Sequence, residues 1–188
     1  MIGSTPSEDL RSLTTGERFA LLAAYVLEVM PQYGYSGRVA DFVICQAALE
    51  TGNFRSNLLL RADNAFGMRI AHVRPQPRIG ESNGYAVYAT LRDSVADYFD
   101  RQRAFGIPNT DNADEYIAAT VATGYAEATR YAETWRAKLD AVAASDYADA
   151  FNLDGVPTAG DGGTGGAGDG LAIVVPLVLA FGIYRAIA

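Results

Sequence analysis

The chain has 188 residues, 49% of them hydrophobic and 11% aromatic, which is enough to bury one core and too little for two large domains. Its formal net charge of -7 excludes a duplex nucleic-acid binder, because nonspecific affinity for phosphates comes from Lys and Arg neutralising them. One cysteine, Cys45, and one histidine, His72, rule out an internal disulfide framework and a His/Cys zinc cluster, so neither metal nor cofactor is expected and zinc-dependent amidase chemistry is set aside.

In chain order, residues 1–13 form an N-terminal extension with Glu8, Asp9 and Arg11; they lack the basic start and apolar run of a signal peptide. Thr14 and Glu17 have capping-box spacing, and Phe19, Leu22, Val26 and Val29 then recur at helical period until Pro31. A second helix is predicted from about Arg38 to Thr51, with Val39, Phe42, Val43 and Ala47 on one face and Gly52 as a left-handed C-cap. Residues 53–90 show no sustained helical period, but Asn83-Gly84 beside the β-prone Tyr85 to Tyr88 predicts a hairpin. Thr90 caps a helix that buries Val95, Tyr98, Phe99 and Phe105 before Gly106 and Pro108. A shorter helix follows Asn112 and carries Ile117 and Val121 to Gly124; a last one, from about Glu127 to Ser145, carries Tyr131, Trp135, Leu139 and Val142.

The expected class is therefore α+β: a mostly helical domain over 14–151 with a small β-hairpin lobe. Residues 152–170 read as a Gly-rich flexible linker centred on Asp161 to Gly166. Residues 171–188 read as a single transmembrane helix, because about 18 residues at roughly 1.5 Å each nearly cross a hydrocarbon core. Pro176 is tolerated in such a span and Arg185 can snorkel to the interface. The alternative, a terminal helix docked on the domain, calls for a polar face that this segment lacks.

Glu50 projects with the apolar stripe of the second helix and sits in its last turn. Partial desolvation and the negative end of the helix dipole both favour the neutral acid, the state needed to protonate a departing glycosidic oxygen. Pattern alone equally allows Glu50 to rotate outward into solvent. Cys45 with His72 would suggest a thiol peptidase, but Cys45 lies mid-helix, away from any N-terminus that would lower its pKa.

The run Gln46-Ala47-Ala48-Leu49-Glu50-Thr51-Gly52-Asn53-Phe54-Arg55-Ser56, followed by Asn64-Ala65-Phe66-Gly67-Met68-Arg69, resembles the bacterial endo-β-N-acetylglucosaminidases of flagellar and autolysin type, members of the lysozyme-like superfamily. The resemblance continues through Tyr88-Ala89-Thr90-Leu91-Arg92-Asp93-Ser94 and ends at Gly124-Tyr125-Ala126-Glu127-Ala128-Thr129-Arg130-Tyr131-Ala132, covering about residues 17–145. Thr51 stands for the usual Ser, Asn53-Phe54 for Trp-Gly, and the central Thr-Asp-Pro of the last motif is replaced.

The resemblance implies a lysozyme-like fold and cleavage of a β-1,4 bond between N-acetylglucosamine and N-acetylmuramic acid in peptidoglycan, with Glu50 as catalytic acid. It also implies a second carboxylate in the hairpin lobe, for which Glu81 is the candidate and Asp63 a less favoured substitute, and a motif tyrosine at Tyr125 lining the site. Asn64, Phe66, Gly67 and Tyr88 are the expected sugar-groove residues. Each has a structural alternative: Glu81 as a solvated turn residue, Tyr125 and Phe66 as core aromatics. A muramidase or lytic transglycosylase would use the same Glu. An inert glycan-binding or virion-structural protein would keep only the fold. The expected partners are peptidoglycan strands and, through 171–188, a membrane, with the bacterial envelope or a phage virion membrane as the location.

Overall fold

The computed structural model describes residues 9–126 and 130–154. Helix α1, Thr15–Val29, begins at the expected capping box: Thr14 Oγ1 accepts the Glu17 amide at 3.2 Å and the Glu17 carboxylate accepts the Thr14 amide at 2.7 Å. Pro31 falls inside a 3₁₀ turn, Met30–Tyr33, that ends the helix. Helix α2, Val39–Glu50, follows and packs against α1 and two later helices, α5 (Ala113–Ala122) and α6 (Tyr131–Ala144).

The one-sided stripe expected on α2 is corrected here. From Val39 to Ala48 every residue but Asp41 is buried, so α2 is the central helix and has no solvent face for most of its length. Trp135 Nε1 donates to the Phe42 carbonyl at 2.9 Å, pinning α6 to α2.

After α2 comes a short helix unforeseen in the sequence, α3, Asn57–Ala62, capped by Ser56 Oγ. The expected hairpin is present: β1, Gly80–Ser82, pairs antiparallel with β2, Tyr85–Val87, with Glu81 opposite Ala86. Asn83 and Gly84 both have positive φ, 52° and 80°, as the tightest hairpin turn requires. Helix α4, Leu91–Ala104, starts at the Thr90 cap and packs on α1, and α5 starts at Asn112, whose Oδ1 accepts two amides. Phe105, expected inside, is 46% exposed because α4 has already ended at Ala104.

A last short helix, α7, Tyr147–Phe151, inserts Phe151 against Phe19 and Phe54, with ring centroids 6.5 and 6.0 Å away. Asp154 then bonds the start of α1, with Gly16 N donating to its carbonyl at 2.8 Å.

Among the described residues the fold class is thus a mostly helical α+β domain with one two-stranded sheet. The transmembrane helix does not belong to it: among the described residues no helix is long and apolar enough to cross a membrane. The segment 171–188 on which that expectation rested, and residues 155–170 of the expected linker, lie outside the described residues.

Candidate active site

Glu50 is the last residue of α2, half-buried at the end of a helix that the core encloses as far as Ala48. Burial pushes its pKa up from the ordinary carboxylate value, and a hydrogen bond donated by Tyr131 to Oε1 opposes part of that rise. The outward-rotated alternative does not occur. Behind Glu50 the chain reverses through Gly52, Asn53 and Phe54, all with positive φ. The reversal is clamped from three elements: Thr51 Oγ1 accepts the Phe54 amide, Arg18 of α1 donates to the Phe54 carbonyl, and Lys138 of α6 donates to Asn53 Oδ1 at 2.7 Å.

The Asn64 to Met68 loop faces Glu50. Gly67 has φ +61°, and a Cβ there would lie 3.0 Å from Glu50 Oε2, so only glycine both fits the turn and leaves room beside the acid. Asn64 holds this loop rather than presenting an amide to a sugar. Its Nδ2 donates to the Met68 and Ala86 carbonyls, both at 2.9 Å, and its Oδ1 accepts the Met68 amide, also at 2.9 Å. Phe66 is buried and stacks on Tyr98 at 4.2 Å, while its carbonyl accepts the Tyr125 hydroxyl.

Of the expected residues, Glu50, Gly67, Phe66 and Tyr125 are therefore brought together. The Tyr125 ring is 6.1 Å from that of Tyr131, and the Arg101 guanidinium lies 4.6 Å over its face. Tyr88 is not part of this group. It is buried at the root of the hairpin, where its hydroxyl donates to Asp97 Oδ2 at 2.6 Å and Asp97 in turn pairs with Arg74. Glu81 is exposed on β1, and its side chain makes no hydrogen bond or ion pair among the described residues. Asp63 is the C-cap of α3 in left-handed conformation.

The residue that periodicity passed over is Tyr131. Its place on the apolar stripe of α6 gave it a core reading, yet its hydroxyl is the one on Glu50. Gln46, one turn before Glu50, is fully buried and donates to the Tyr131 hydroxyl at 3.0 Å. The visible signal was a glutamine inside the apolar run Phe42 to Leu49. Cys45 is buried and burial pushes its thiol far up, while His72 is exposed, so the pair has no nucleophilic character. No group of His, Cys, Asp and Glu among the described residues could hold a metal ion.

The family model described as mannosyl-glycoprotein endo-beta-N-acetylglucosaminidase, the Glucosaminidase family, matches residues 24–147. None of the curated protein sequences compared with the chain matches it. Among solved structures, a type VI secretion system effector–immunity complex from Pseudomonas protegens contains a chain similar with TM-score 0.56 at 15% identity, over 73% of this chain and 97% of that one. The glycoside hydrolase domain of Salmonella typhimurium FlgJ is similar with TM-score 0.52 at 19% identity, over 69% and 89%. A peptidoglycan hydrolase mutant from Sphingomonas sp. A1 is similar with TM-score 0.50 at 19% identity, over 65% and 91%. At these identities the likeness is one of fold.

Proposed function

Because the chain belongs to the glucosaminidase family, whose model spans most of it, we propose that it hydrolyses the β-1,4 bond between N-acetylglucosamine and N-acetylmuramic acid in peptidoglycan, with Glu50 as the acid. Membership makes it a glycoside hydrolase. The choice of peptidoglycan over the mannosyl-glycoprotein of the family description is supported by the peptidoglycan hydrolase and FlgJ domain that share the fold. Its place of action is then the bacterial envelope, where that polymer lies.

The observation that carries the reading is the setting of Glu50: a carboxyl whose pKa burial raises, held by a hydrogen bond from Tyr131 and bordered by the side-chain-free Gly67. In the reaction the Glu50 proton passes to the glycosidic oxygen as its bond to the anomeric carbon breaks. Positive charge grows on the sugar ring, and water adds to that carbon while losing a proton to a base. Glu81 is the proposed base or electrostatic partner, carried on the hairpin and brought over the glycan when that lobe closes. Tyr125 serves by fixing the Phe66 carbonyl and hence the Gly67 turn beside the acid.

The test is mass spectrometry of fragments released from purified peptidoglycan by the full chain and by Glu50→Gln. Reducing N-acetylglucosamine ends, released at least about 100-fold more slowly by the variant, are expected. Reducing muramic ends would move the reaction to a muramidase and anhydro ends to a lytic transglycosylase. Sacculus binding without fragments would leave an inert binding module. Undiminished turnover by a folded Glu50→Gln would remove Glu50 from the chemistry.

A further inference from the structure

The core beside Glu50 holds an unusual amount of polar matter. Gln46, Tyr98, Gln102, Tyr116 and Thr120 are all fully buried, and no buried side-chain polar atom of the described residues lacks a partner. Buried amides and hydroxyls destabilise a core unless they are saturated, and these are. Their bonds also share one direction, and the reason lies at the far end.

A guanidinium can only donate. Arg101 Nη1 donates to Gln102 Oε1 at 3.0 Å, which turns the two protons of the Gln102 NH₂ toward the hydroxyls of Tyr98 and Thr120, both at 2.9 Å, and Tyr116, at 3.1 Å. The single proton of Tyr98 goes to Gln46 Oε1 at 2.5 Å, and the Tyr116 hydroxyl, 3.1 Å away, is left to donate to Tyr98. Gln46 therefore presents its NH₂ to the Tyr131 hydroxyl at 3.0 Å, and Tyr131 has one proton left to give, which goes to Glu50 Oε1. With Tyr116 spending its proton on Tyr98, the donors run one way from Arg101 to Glu50.

We infer that Arg101, Gln102, Tyr98 and Gln46 form a directional hydrogen-bond relay whose function is positioning. It compels Tyr131 to donate to Glu50 Oε1, so that the neutral acid carries its transferable proton on Oε2, the oxygen beside Gly67. Without the relay, Tyr131 is free to turn and accept from the acid, which places the proton on the wrong oxygen and stabilises the neutral form further. The hydrogen bonds of Tyr98 and Gln46 run to each other and on to Tyr131, which alone of the three donates to Glu50, so the polar atoms of both act through Tyr131. Besides Tyr131, the titratable group that interacts with Glu50 is Tyr125 before α6; Tyr116 on α5 and Arg101 on α4 lie further along the relay. None is altered by the test below. The proton's use in glycan cleavage rests on the proposed function, whereas the relay's direction does not.

Tyr98→Phe removes one oxygen and keeps the ring that stacks on Phe66. Gln46→Met keeps length and loses both bonds. Tyr35→Phe is the control, since its buried hydroxyl donates to the Ile107 carbonyl outside the relay. The full chain, labelled with ¹³C at glutamate side chains, is titrated by NMR, with the Glu50 resonance assigned by its loss in Glu50→Gln. The Glu50 midpoint is expected to move to higher pH in Tyr98→Phe and in Gln46→Met and to stay in place in Tyr35→Phe. kcat on peptidoglycan falls about fivefold in both relay variants, the equivalent of one net hydrogen bond, with KM unchanged. An unmoved midpoint in either relay variant that retains the wild-type near-UV spectrum overturns the relay. An active Glu50→Gln combined with moved midpoints would sink the glycosidase role of Glu50 and leave the relay standing.

Discussion

The helical body and the hairpin lobe solve the problem of placing a carboxylate in opposite ways. Glu50 ends a helix that is enclosed by three others, and its surroundings are aromatic rings, a glycine and a chain of saturated hydrogen bonds. Glu81 stands on a three-residue strand with only one partner strand, in a lobe that leaves Val73 86% and Ile79 69% exposed. A two-stranded ribbon is marginal by itself. A polar node helps hold the lobe to the body: Asp97 of α4, wholly buried, accepts from Arg74, Gln76 and Tyr88 together. One carboxyl is fixed by the core and the other stands exposed on a ribbon anchored at a buried charge.

The largest effect follows from removing that anchor. Asp97→Ala leaves Arg74 buried with only the partly exposed Asp100 at 3.3 Å, and leaves the Tyr88 hydroxyl without its acceptor. Loss of one partner from a buried pair costs about 3–5 kcal/mol. Urea unfolding is expected to register a loss of that size; a loss under about 1 kcal/mol would mean that the lobe is held by something else. Next comes Gly67→Ala, at the seam between the two regions. The left-handed turn makes the substitution cost about 1–2 kcal/mol, and the new Cβ meets Glu50 Oε2 at 3.0 Å. Activity should therefore fall by more than the change in folded fraction explains, with kcat rather than KM carrying the loss.

The same contrast governs what the sequence made readable. Helix starts were legible at Thr14, Thr90 and Asn112 because a cap is a local signal, and the hairpin was legible because Asn-Gly specifies its own turn. α3 and α7 were not, since six and five residues are too few to display a helical period. Glu50 could be found from its place on an apolar helix and from the resemblance. Its partner Tyr131 could not, because the bond spans 81 positions and a tyrosine on a stripe looks the same whether its hydroxyl meets water, a carbonyl or an acid. Asn64 and Tyr88 carry the complementary lesson: the polar atoms that suggested sugar contacts are spent inside the fold, on partners that sequence does not display.

A smaller effect sharpens the account of the body. Tyr131 stabilises the charged form of Glu50 by donating to it, so Tyr131→Phe removes the hydrogen bond that opposes burial and moves the pKa up. The limb of the pH–rate profile on which Glu50 loses its proton should shift to higher pH, because the acid stays protonated longer. kcat at the optimum should drop about tenfold as the carboxyl loses its fixed orientation. A limb that moves to lower pH would contradict the assignment of Tyr131 as donor.

The smallest effect on stability belongs to Glu81→Gln, and it separates the two lobes most cleanly. An exposed side chain without hydrogen bonds has nothing to lose on folding, so unfolding free energy should stay within about 0.5 kcal/mol of wild type. If the hairpin closes over bound glycan, activity still falls several-fold, because a neutral amide neither takes a proton from water nor steadies positive charge on the sugar. Pairing the substitution with Asp97→Ala gives the decisive comparison. Two residues acting through one lobe should combine to less than the product of their separate effects on kcat, whereas multiplicative losses would mean that Glu81 works without the lobe being held in place by Asp97.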